Sequence, residues 1–465
     1  MQRMRTCARS MEVIRLPKLL ESSPLVEGAT SVVRELRSHG HLAYFAGGCV
    51  RDALLGFRPK DIDVATDARP EEVQRIFART VPVGAKFGVI RVLQNGWEFE
   101  VATFRSDGAY LDGRRPEAVA FSSPEDDARR RDFTINGMFY DPVADAVVDY
   151  VGGREDLEKK LIRAIGDARL RFGEDRLRML RAIRFAATLD FQIDPATWDA
   201  LRADADQIKV VSPERIRDEL LKILADTGRL RGFELLDASG LLEQILPEVS
   251  ALKGCQQPPQ FHPEGDVFVH TRKMLELLPP DASPLLALMV LLHDIGKPPT
   301  QSCDPAEGRI RFNGHDEVGA SMSAAVMERL RFSSAEIEAV EGAVRSHMMF
   351  KDVPKMRPAK LRRFMARDTF PLELELHRVD CLSSHGDLEN FDFLLRKEKE
   401  FGNEPLIPPP LVNGYDLIAL GLTPGPRFGE ILEKVQTAQL EGEIRSRGDA
   451  LALVRKLVGE NERGS

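Results

Sequence analysis

Two aspartates spaced by one residue, Asp61 and Asp63, are the first residues whose type and spacing could do chemistry. Side chains at positions i and i+2 of a β-strand point to the same face, so the two carboxylates would lie side by side. Carboxylate oxygens suit Mg²⁺, which binds through one or two carboxylates together with substrate phosphates. The pair therefore predicts a magnesium site at which a phosphate group could react.

A turn with two glycines and an arginine comes shortly before this pair. Gly47 and Gly48 would let backbone N–H groups approach a triphosphate closely, and Arg51 could donate two parallel hydrogen bonds to its oxygens. An isolated Asp-x-Asp is most often a solvated strand end. The glycine turn beside it favours a site for nucleotidyl transfer instead.

Two later clusters of arginines could bind the same nucleotide. Arg131 ends a run of three arginines and precedes a mixed polar and apolar turn. In the second cluster, residues 173–185, a continuous helix would make Asp175 and Arg178 near neighbours on one face. The alternative for these two residues is an ordinary i,i+3 salt bridge on an exposed helix.

The pair Asp175 and Arg178 could read a nucleobase. A carboxylate accepts a hydrogen bond from the amino group of cytosine or adenine, while a guanidinium donates to the adjacent ring nitrogen. Guanine and uracil present the opposite order, so one pair could accept CTP and ATP without a template strand. Arg181 and Arg184 would lie further round the helix, too far for all four side chains to contact one base.

Five motifs together make the chain resemble the bacterial-type tRNA nucleotidyltransferases, also called CCA-adding enzymes, and their poly(A) polymerase relatives. The motifs, each with its first residue, are GGCVRD (Gly47), DIDVATDA (Asp61), RRRDFTINGMFYD (Arg129), EDRLRMLRAIRFAA (Glu174) and SPERIRDEL (Ser212). The resemblance is densest over residues 40–250. It implies template-independent addition of nucleotides to the 3′ end of tRNA.

The resemblance also implies roles for the candidate residues. Asp61 and Asp63 would bind Mg²⁺, with one ion activating the primer 3′-OH and another steadying the leaving pyrophosphate. Gly48 and Arg51 would contact the triphosphate, and Arg131 would contact the nucleotide. Two pairs on the second cluster would complete the site: Asp175 and Arg178 on the base, Arg181 and Arg184 on nucleotide or primer phosphates.

A second set of metal-binding residue types lies in the C-terminal half of the chain. In order they are His270, His293, Asp294, His315, His347 and Asp380. Imidazole and carboxylate ligands on separate helices can converge on one or two hydrolytic metals. The series resembles the HD phosphohydrolase superfamily, which implies a divalent metal of unknown identity and phosphatase or cyclic phosphodiesterase chemistry on small phosphate esters. A degenerate, purely structural domain is the alternative, and four other histidines have no predicted role: His39, His41, His377 and His385.

Length and composition bound the class of protein. At 465 residues the chain is too long for one core, and 43% hydrophobic with 30% charged residues argues against a disordered or membrane protein. The five scattered cysteines indicate a reducing, cytoplasmic setting. No secretory signal is expected, and either Met1 or Met11 could be the start. The net charge of −8 leaves nucleic-acid binding to local basic clusters.

The order of predicted elements indicates an α/β nucleotidyltransferase head, a small mixed sheet with flanking helices, followed by an all-α neck, an HD helical domain and a helical tail. The predicted boundaries are 28–160 for the head, 161–254 for the neck with its base-selecting helix, 255–402 for the HD domain and 403–465 for a tail that could bind tRNA. Residues 106–127 are expected to form a long functional loop.

The favoured function is Mg²⁺-dependent addition of CCA to tRNA from CTP and ATP, with a possible second activity in the HD domain. Within the class, A-only addition or poly(A) synthesis stays open, while the loop segment Arg114–Ala118 disfavours CC-only addition. In another class, the HD phosphohydrolase would be the main activity and the head would only bind RNA. A tRNA-gripping scaffold, using the basic stretch 351–367, could coexist with the first function. The sequence leaves the oligomeric state open.

Overall fold

The computed structural model describes residues 23–84, 88–107, 119–258, 265–303, 310–402 and 405–462. The chain forms two compact units, one that ends at Ser250 and one that begins at Ala251. Across these described ranges, no helix is long and apolar enough to cross a membrane. The segment Arg114–Ala118 lies outside the described residues, so its predicted role is neither supported nor opposed.

A seven-stranded mixed sheet forms the centre of the first unit, as predicted for the head. Its strand order is β3-β4-β5-β2-β1-β8-β9, and β2 with β5 is its parallel pair. Three two-stranded pairs lie outside it: β6 with β7, β10 with β11, and β12 with β13. The strands are β1 Ala43–Ala46, β2 Asp63–Thr66, β3 Thr80–Gly84, β4 Val89–Gln94, β5 Trp97–Thr103, β6 Arg105–Asp107, β7 Val119–Phe121, β8 Met138–Asp141, β9 Ala146–Asp149, β10 Leu161–Ile162, β11 Gln192–Ile193, β12 Gln301–Cys303 and β13 Ile310–Phe312.

Helices flank this sheet and then continue without it to Ser250. Five belong to the sheet region: α1 Pro24–Ser38, α2 Gly48–Leu54, α3 Pro70–Ile76, α4 Pro124–Arg129 and α5 Gly153–Glu158. Seven follow: α6 Ala168–Glu174, α7 Arg178–Thr188, α8 Pro195–Ala203, α9 Pro213–Ala225, α10 Arg229–Ala238, α11 Leu241–Ile245 and α12 Pro247–Ser250. Two 3₁₀ segments, Thr134–Asn136 and Ala205–Val210, complete this unit.

The second unit is helical apart from one short hairpin. Its helices are α13 Val267–Leu277, α14 Pro284–Leu292, α15 Lys297–Thr300, α16 His315–Arg329, α17 Ser334–Ser346, α18 Pro358–Met365, α19 Phe370–Ser383, α20 Glu389–Phe401, α21 Gly414–Ala419, α22 Pro426–Leu440 and α23 Arg447–Glu462, with a 3₁₀ segment at His347–Lys355. Helix α14 is buried from Leu286 to Leu292, because apolar side chains cover all of its faces. A capping box between Ser333 and Glu336 begins α17, as the sequence predicts.

The predicted helix over residues 173–185 is wrong in one respect: it is two helices. Helix α6 ends at Glu174, Asp175 takes extended backbone angles (φ −148°, ψ 105°), and α7 begins at Arg178. The Asp175 carboxylate accepts a hydrogen bond from the backbone N–H of Leu177 at 3.1 Å. Aspartate side chains that bond nearby backbone in this way compete with helix formation, which explains the break.

The predicted long loop is also shorter than expected. Strand β6 and strand β7 pair with each other and extend into both ends of residues 106–127, and α4 begins at Pro124 after a capping box formed by Ser123 and Asp126. Residues 108–118 lie outside the described part of the chain.

Several arginines of the basic stretch 351–367 make internal contacts. The guanidinium of Arg362 lies 4.2 Å from the centroid of the Phe401 ring, Arg363 donates to the Thr437 hydroxyl at 2.9 Å, and Arg367 forms an ion pair with Glu373. The contacts of Arg363 and Arg367 use N–H donors that could otherwise bind phosphate. In contrast, four basic residues of the same stretch are exposed: Lys351, Lys355, Arg357 and Lys360.

Candidate functional site

Three carboxylates meet at one end of the large sheet. Asp63 is the first residue of β2 and pairs with Ala46, the last residue of β1, while Asp61 lies two residues earlier, outside the strand. Ile62 is buried between these two exposed side chains, which is the alternation the sequence predicts. The parallel register joins Val64 to Val101 and so places Glu100 beside the same strand end.

The negative charge of this cluster contributes to a raised pKa of Asp63. Although part of Asp63 is exposed, surrounding protein atoms partly exclude water from its carboxyl. This desolvation, together with the negative charges of Asp61 and Glu100, raises the pKa of Asp63 to about 6, although Arg131 acts in the opposite direction. Where several carboxylates lie close together, a divalent cation would neutralise the excess negative charge. Asp61 and Asp63 therefore fit a site for a divalent cation.

Gly47 makes the turn between β1 and α2. Its backbone has φ +76°, a conformation that L side chains rarely adopt, and a Cβ built on it would lie 2.9 Å from Nη1 of Arg131. Glycine at this position therefore lets the guanidinium approach the backbone. A Cβ built on Gly48, the first residue of α2, would lie 3.7 Å from Nη2 of Arg51. The structure thus brings both glycines together with Arg51 and Arg131.

Arg51 and Arg131 are both held in place by acids and aromatic rings. Arg51 donates to Asp52 and, at 2.7 Å, to the side-chain oxygen of Asn136. Arg131 pairs with Asp127 at 3.0 Å and lies 5.1 Å from the centroid of the Phe139 ring. Because their positions are fixed before any ligand arrives, the two guanidiniums are preorganised for an anion.

The predicted base-reading pair is held by other partners. The two carboxylate oxygens of Asp175 accept hydrogen bonds from Arg215 of α9 at 3.1 and 2.7 Å. Arg178 pairs with Glu174 at 2.5 Å and donates to the Arg130 carbonyl oxygen at 3.2 Å. The backbone N–H of Arg178 donates to the carbonyl oxygen of Asp175 at 3.0 Å. In the described structure, no side-chain hydrogen bond joins the two residues, so their joint role stays a prediction.

Arg181 and Arg184 lie on α7 and pair with buried acids. Arg181 contacts Asp132 at 2.6 Å, and Arg184 contacts Glu219 at 2.7 Å. Burial alone would raise the pKa of Asp132, but Arg181 and a hydrogen bond from Asn136 outweigh it and lower that pKa to about 2. Asp132 therefore stays ionised and fixes Arg181.

Three residues of the site were missed in the sequence: Glu100, Asn136 and Arg215. Alternating exposure predicts that Glu98 and Glu100 share a face, but it does not predict which strand lies beside β5. Arg215 follows the helix-start pattern at Ser212, although the Ser212 side chain makes no capping bond. Nothing local in the sequence predicts that Arg215 reaches Asp175.

The second unit gathers all six predicted metal ligands. They form two groups, and within each group the ligand atoms lie within 4.8 Å of one another. One group is His270, His293 and Asp380, and the other is Asp294, His315 and His347. Nε2 of His293 lies 3.1 Å from Asp294, and Nε2 of His315 lies 3.2 Å from Nε2 of His347. Ligands from five separate segments of the chain thus face one small volume.

Backbone carbonyl groups orient these imidazoles. Nδ1 of His293, His315 and His347 contacts the carbonyl oxygens of Val290, Phe312 and Val344 at 2.9, 2.8 and 2.5 Å. With a proton on Nδ1, each ring presents its Nε2 lone pair to the cluster. Burial lowers the pKa of His347 to about 4, which keeps that ring neutral, as a metal ligand must be.

A cavity of about 820 Å³ opens onto this cluster. Lys297, which pairs with Asp294 at 2.6 Å, and Lys351 contribute positive charge to its wall. Burial would raise the pKa of Asp294, but His293 and Lys297 hold it well below its usual range. His377 and His385, for which the sequence predicts no role, line the same cavity.

Three protein families match successive parts of the chain. They are described as "Poly A polymerase head domain" over residues 43–163, "Probable RNA and SrmB- binding site of polymerase A" over residues 190–253, and "HD domain" over residues 266–381. The first covers the sheet with its carboxylates. The third covers the six clustered histidines and aspartates.

Similar proteins match nearly the whole chain. An A-adding tRNA nucleotidyltransferase of Deinococcus radiodurans is 35% identical over 436 residues, which is 90% of this chain and 96% of that protein. A CCA-adding enzyme of Lactobacillus johnsonii is 32% identical over 445 residues, 95% of this chain and 98% of that protein. The solved structure of the Bacillus stearothermophilus CCA-adding enzyme in complex with CTP superposes with a TM-score of 0.72 at 25% identity, covering 96% of this chain and 100% of that one.

The raised pKa of Asp63 predicts how metal binding depends on pH. Mg²⁺ binds the ionised carboxylate, so affinity at this site should fall as the pH drops through about 6. Glu100→Gln removes a negative neighbour, lowers the pKa of Asp63 and should move that midpoint to lower pH. Calorimetric Mg²⁺ titrations, with Asp63→Asn subtracted as background, measure the midpoint.

Glu98→Gln is the matched control for this prediction. Glu98 lies on the same strand as Glu100 and shares its partner, because Arg91 contacts the two carboxylates at 3.3 and 3.5 Å. Glu98 does not contribute to the pKa shift of Asp63, so its substitution should leave the midpoint in place. Equal shifts in both variants would contradict the assignment.

Proposed function

Because the chain belongs to the family of tRNA nucleotidyltransferases that contains A-adding and CCA-adding enzymes, we propose that it adds C, C and A to the 3′ end of tRNA. The nucleotides come from CTP and ATP, and no nucleic-acid template is needed. One observation carries the proposal: Asp61 and Asp63 meet the Gly47 turn at the start of β2, beside Arg51 and Arg131. Carboxylates for metal and guanidiniums for phosphate are thereby combined.

The aspartates and the arginines of the site have different roles in nucleotidyl transfer. When bound at Asp61 and Asp63, Mg²⁺ supplies activation of the primer 3′-OH and stabilisation of the leaving pyrophosphate. Arg51 and Arg131 bind and orient the triphosphate from positions fixed by Asp52 and Asp127. The protein contributes positioning and charge neutralisation.

Base selection falls to Asp175 and Arg178 in this proposal. Arg215 holds both oxygens of Asp175, which fixes the plane of the carboxylate. Each oxygen retains a second lone pair for the amino group of cytosine or adenine. Arg178 would donate to the ring nitrogen, either after its ion pair with Glu174 breaks or while that ion pair remains.

A-only addition is the second candidate within the family, favoured by the Deinococcus radiodurans relative. The base-reading pair serves both activities, so the site residues do not separate them. Purified protein given tRNA that ends before CCA, or that ends in CC, with each nucleoside triphosphate separately distinguishes the two. Incorporation of CTP into the shorter tRNA supports full CCA addition, and its absence supports A-only addition.

We also propose the division of the chain into a head, 28–160, a neck, 161–254, an HD domain, 255–402, and a tail, 403–465, that contacts tRNA. The neck and HD matches fall within their parts, and the head match, 43–163, runs three residues past the proposed boundary at 160. A cytoplasmic setting is inferred from the scattered cysteines of the sequence.

The HD cluster supports a second activity, hydrolysis of small phosphate esters. Its two ligand groups fit two divalent ions, because the imidazoles are oriented through Nδ1 and the carboxylates of Asp294 and Asp380 are held ionised. Lys297 and Lys351 would attract the phosphate into the cavity.

Replacing Asp61 and Asp63 with alanine should abolish transfer. Losing the metal ligands removes several kcal/mol of transition-state stabilisation, so incorporation of labelled CTP and ATP should fall by about 10³-fold or more. The His293→Ala/Asp294→Ala variant, altered in the other unit, should retain transfer. Undiminished incorporation in the Asp61→Ala/Asp63→Ala variant would refute the proposal.

Base choice should relax when Asp175 or Arg178 becomes alanine. A wrong base no longer leaves a buried partner unpaired, so the preference for CTP over UTP in kcat/KM should fall by about 10–100-fold. Arg176→Ala is the control, since Arg176 lies between them in sequence but pairs with Asp204 at 2.6 Å. If UTP is rejected as strongly as before, the two residues do not read the base.

The HD proposal predicts metal content. In an Asp61→Ala/Asp63→Ala background, protein loaded with Mn²⁺ and dialysed should retain about two ions per chain, and His315→Ala/His347→Ala should remove about one of them. Atomic absorption measures the ratio. Alanine at the exposed His39 should change nothing, and equal metal content in all variants would eliminate the site.

A further inference from the structure

Three guanidiniums surround one buried aromatic ring in the first unit. Their Cζ atoms lie at 4.9 Å for Arg51, 5.3 Å for Arg181 and 4.1 Å for Arg184 from the centroid of the Phe185 ring. Arg51 comes from α2 and the other two from α7, while Phe185 is only 5% exposed. The face of an aromatic ring carries partial negative charge and attracts cations at these distances.

Each guanidinium is also held at its edge by an acid. Asp52 holds Arg51, Asp132 holds Arg181, and Glu219 holds Arg184. The edge contacts and the shared ring together fix the position and plane of all three cations. The three cations lie close to one another around the ring. Burial lowers the pKa of Arg184, Glu219 acts in the opposite direction, and the charges of Arg181 and Arg51 contribute further to the lowering.

Several N–H donors of this cluster have no partner among the described residues. Arg184 donates through Nε to Glu219, and Arg181 donates through Nε and Nη2 to Asp132. A guanidinium has five N–H donors, so Nη1 of Arg181 and both Nη groups of Arg184 remain for a ligand within the described structure. Donors on clustered cations suit an anion with several oxygens.

We propose that Phe185 is a positioning residue that gathers Arg51, Arg181 and Arg184 into one binding surface for the phosphates of the incoming nucleotide. The ring touches no substrate; it acts through the guanidiniums that it holds. This inference rests on the proposed transferase function and adds to it a role for Phe185, which lies within the EDRLRMLRAIRFAA motif but has no role predicted from the sequence.

A simpler role for Phe185 would be packing alone, since its ring also meets the Phe133 ring edge-on at 5.9 Å. Phe133 is fully buried but has no cation over its face in the described structure. The two phenylalanines therefore separate packing from cation binding. The same substitution at each removes similar apolar area, but only at Phe185 does it remove the surface on which arginines lie.

The experiment compares Phe185→Leu, Phe185→Tyr and Phe133→Leu with the wild type. Binding of inorganic tripolyphosphate is measured by calorimetry, and KM and kcat are measured for CTP and for tRNA. In Phe185→Leu, the tripolyphosphate Kd and the KM for CTP should rise about tenfold, with little change in kcat or in the KM for tRNA. Phe185→Tyr keeps the ring face and should stay within about threefold of the wild type.

Thermal denaturation shows whether each variant folds, and Phe185→Met replaces the leucine variant if that one does not, because methionine fills irregular spaces. An unchanged tripolyphosphate Kd in Phe185→Leu, an equal loss in Phe133→Leu, or a rise confined to the KM for tRNA would overturn the proposal. Tripolyphosphate binding does not require transfer. A wild type that binds it without incorporating nucleotides would therefore refute the proposed function and still leave the role of the ring testable.

Discussion

Repulsion between like charges is the constraint around which the first unit is organised. Strand register brings Asp63 and Glu100 to one end of the sheet, Asp61 lies two residues before Asp63, and the pKa of Asp63 is raised by burial and by these two negative neighbours. Side chains alone would move apart, since each has rotamers that point to water. The hydrogen-bonded strands keep the backbone of Asp63 close to that of Glu100, because register fixes where the Cα atoms of β2 and β5 lie. The crowding that destabilises the metal-free site is what favours a divalent cation there.

The arginines of the first unit also repel one another, and buried acids offset this repulsion. Asp127, Asp132 and Glu219 are buried, and each holds one or more guanidiniums by the edge. Buried ion pairs gain little net stability because both charges lose water, but they fix positions. For Asp132 the sign of the linkage is clear. Its folded pKa of about 2 lies below the unfolded value of about 3.9, so the pair stabilises the fold above that pH and loses its contribution as the pH falls toward 2.

What could be predicted from the sequence follows the range of the interactions. Asp61, Asp63 and the six HD ligands were predictable because residue type and short spacing restrict the chemistry, and the mixed sheet followed from alternating short strands. The helix break at Asp175 was not predictable, because the 3.6-residue period of apolar side chains continues across it. The Asp175 side chain bonds the backbone of Leu177 and the distant Arg215, and neither bond is visible in the pattern. Glu100 and Arg215 depend on contacts between distant segments, which no local pattern contains.

The donor atoms of the two sites differ in the metals that they prefer. The first site offers carboxylate oxygens, which suit Mg²⁺, whereas the second offers four imidazoles with two carboxylates, a set that suits transition metals better. The unlike donor sets let each site take its own metal from a mixture, because affinity for imidazole nitrogen rises along the first transition series while Mg²⁺ prefers oxygen. The two donor sets therefore favour different metals, so metal ions bound in the two units need not compete for the same site.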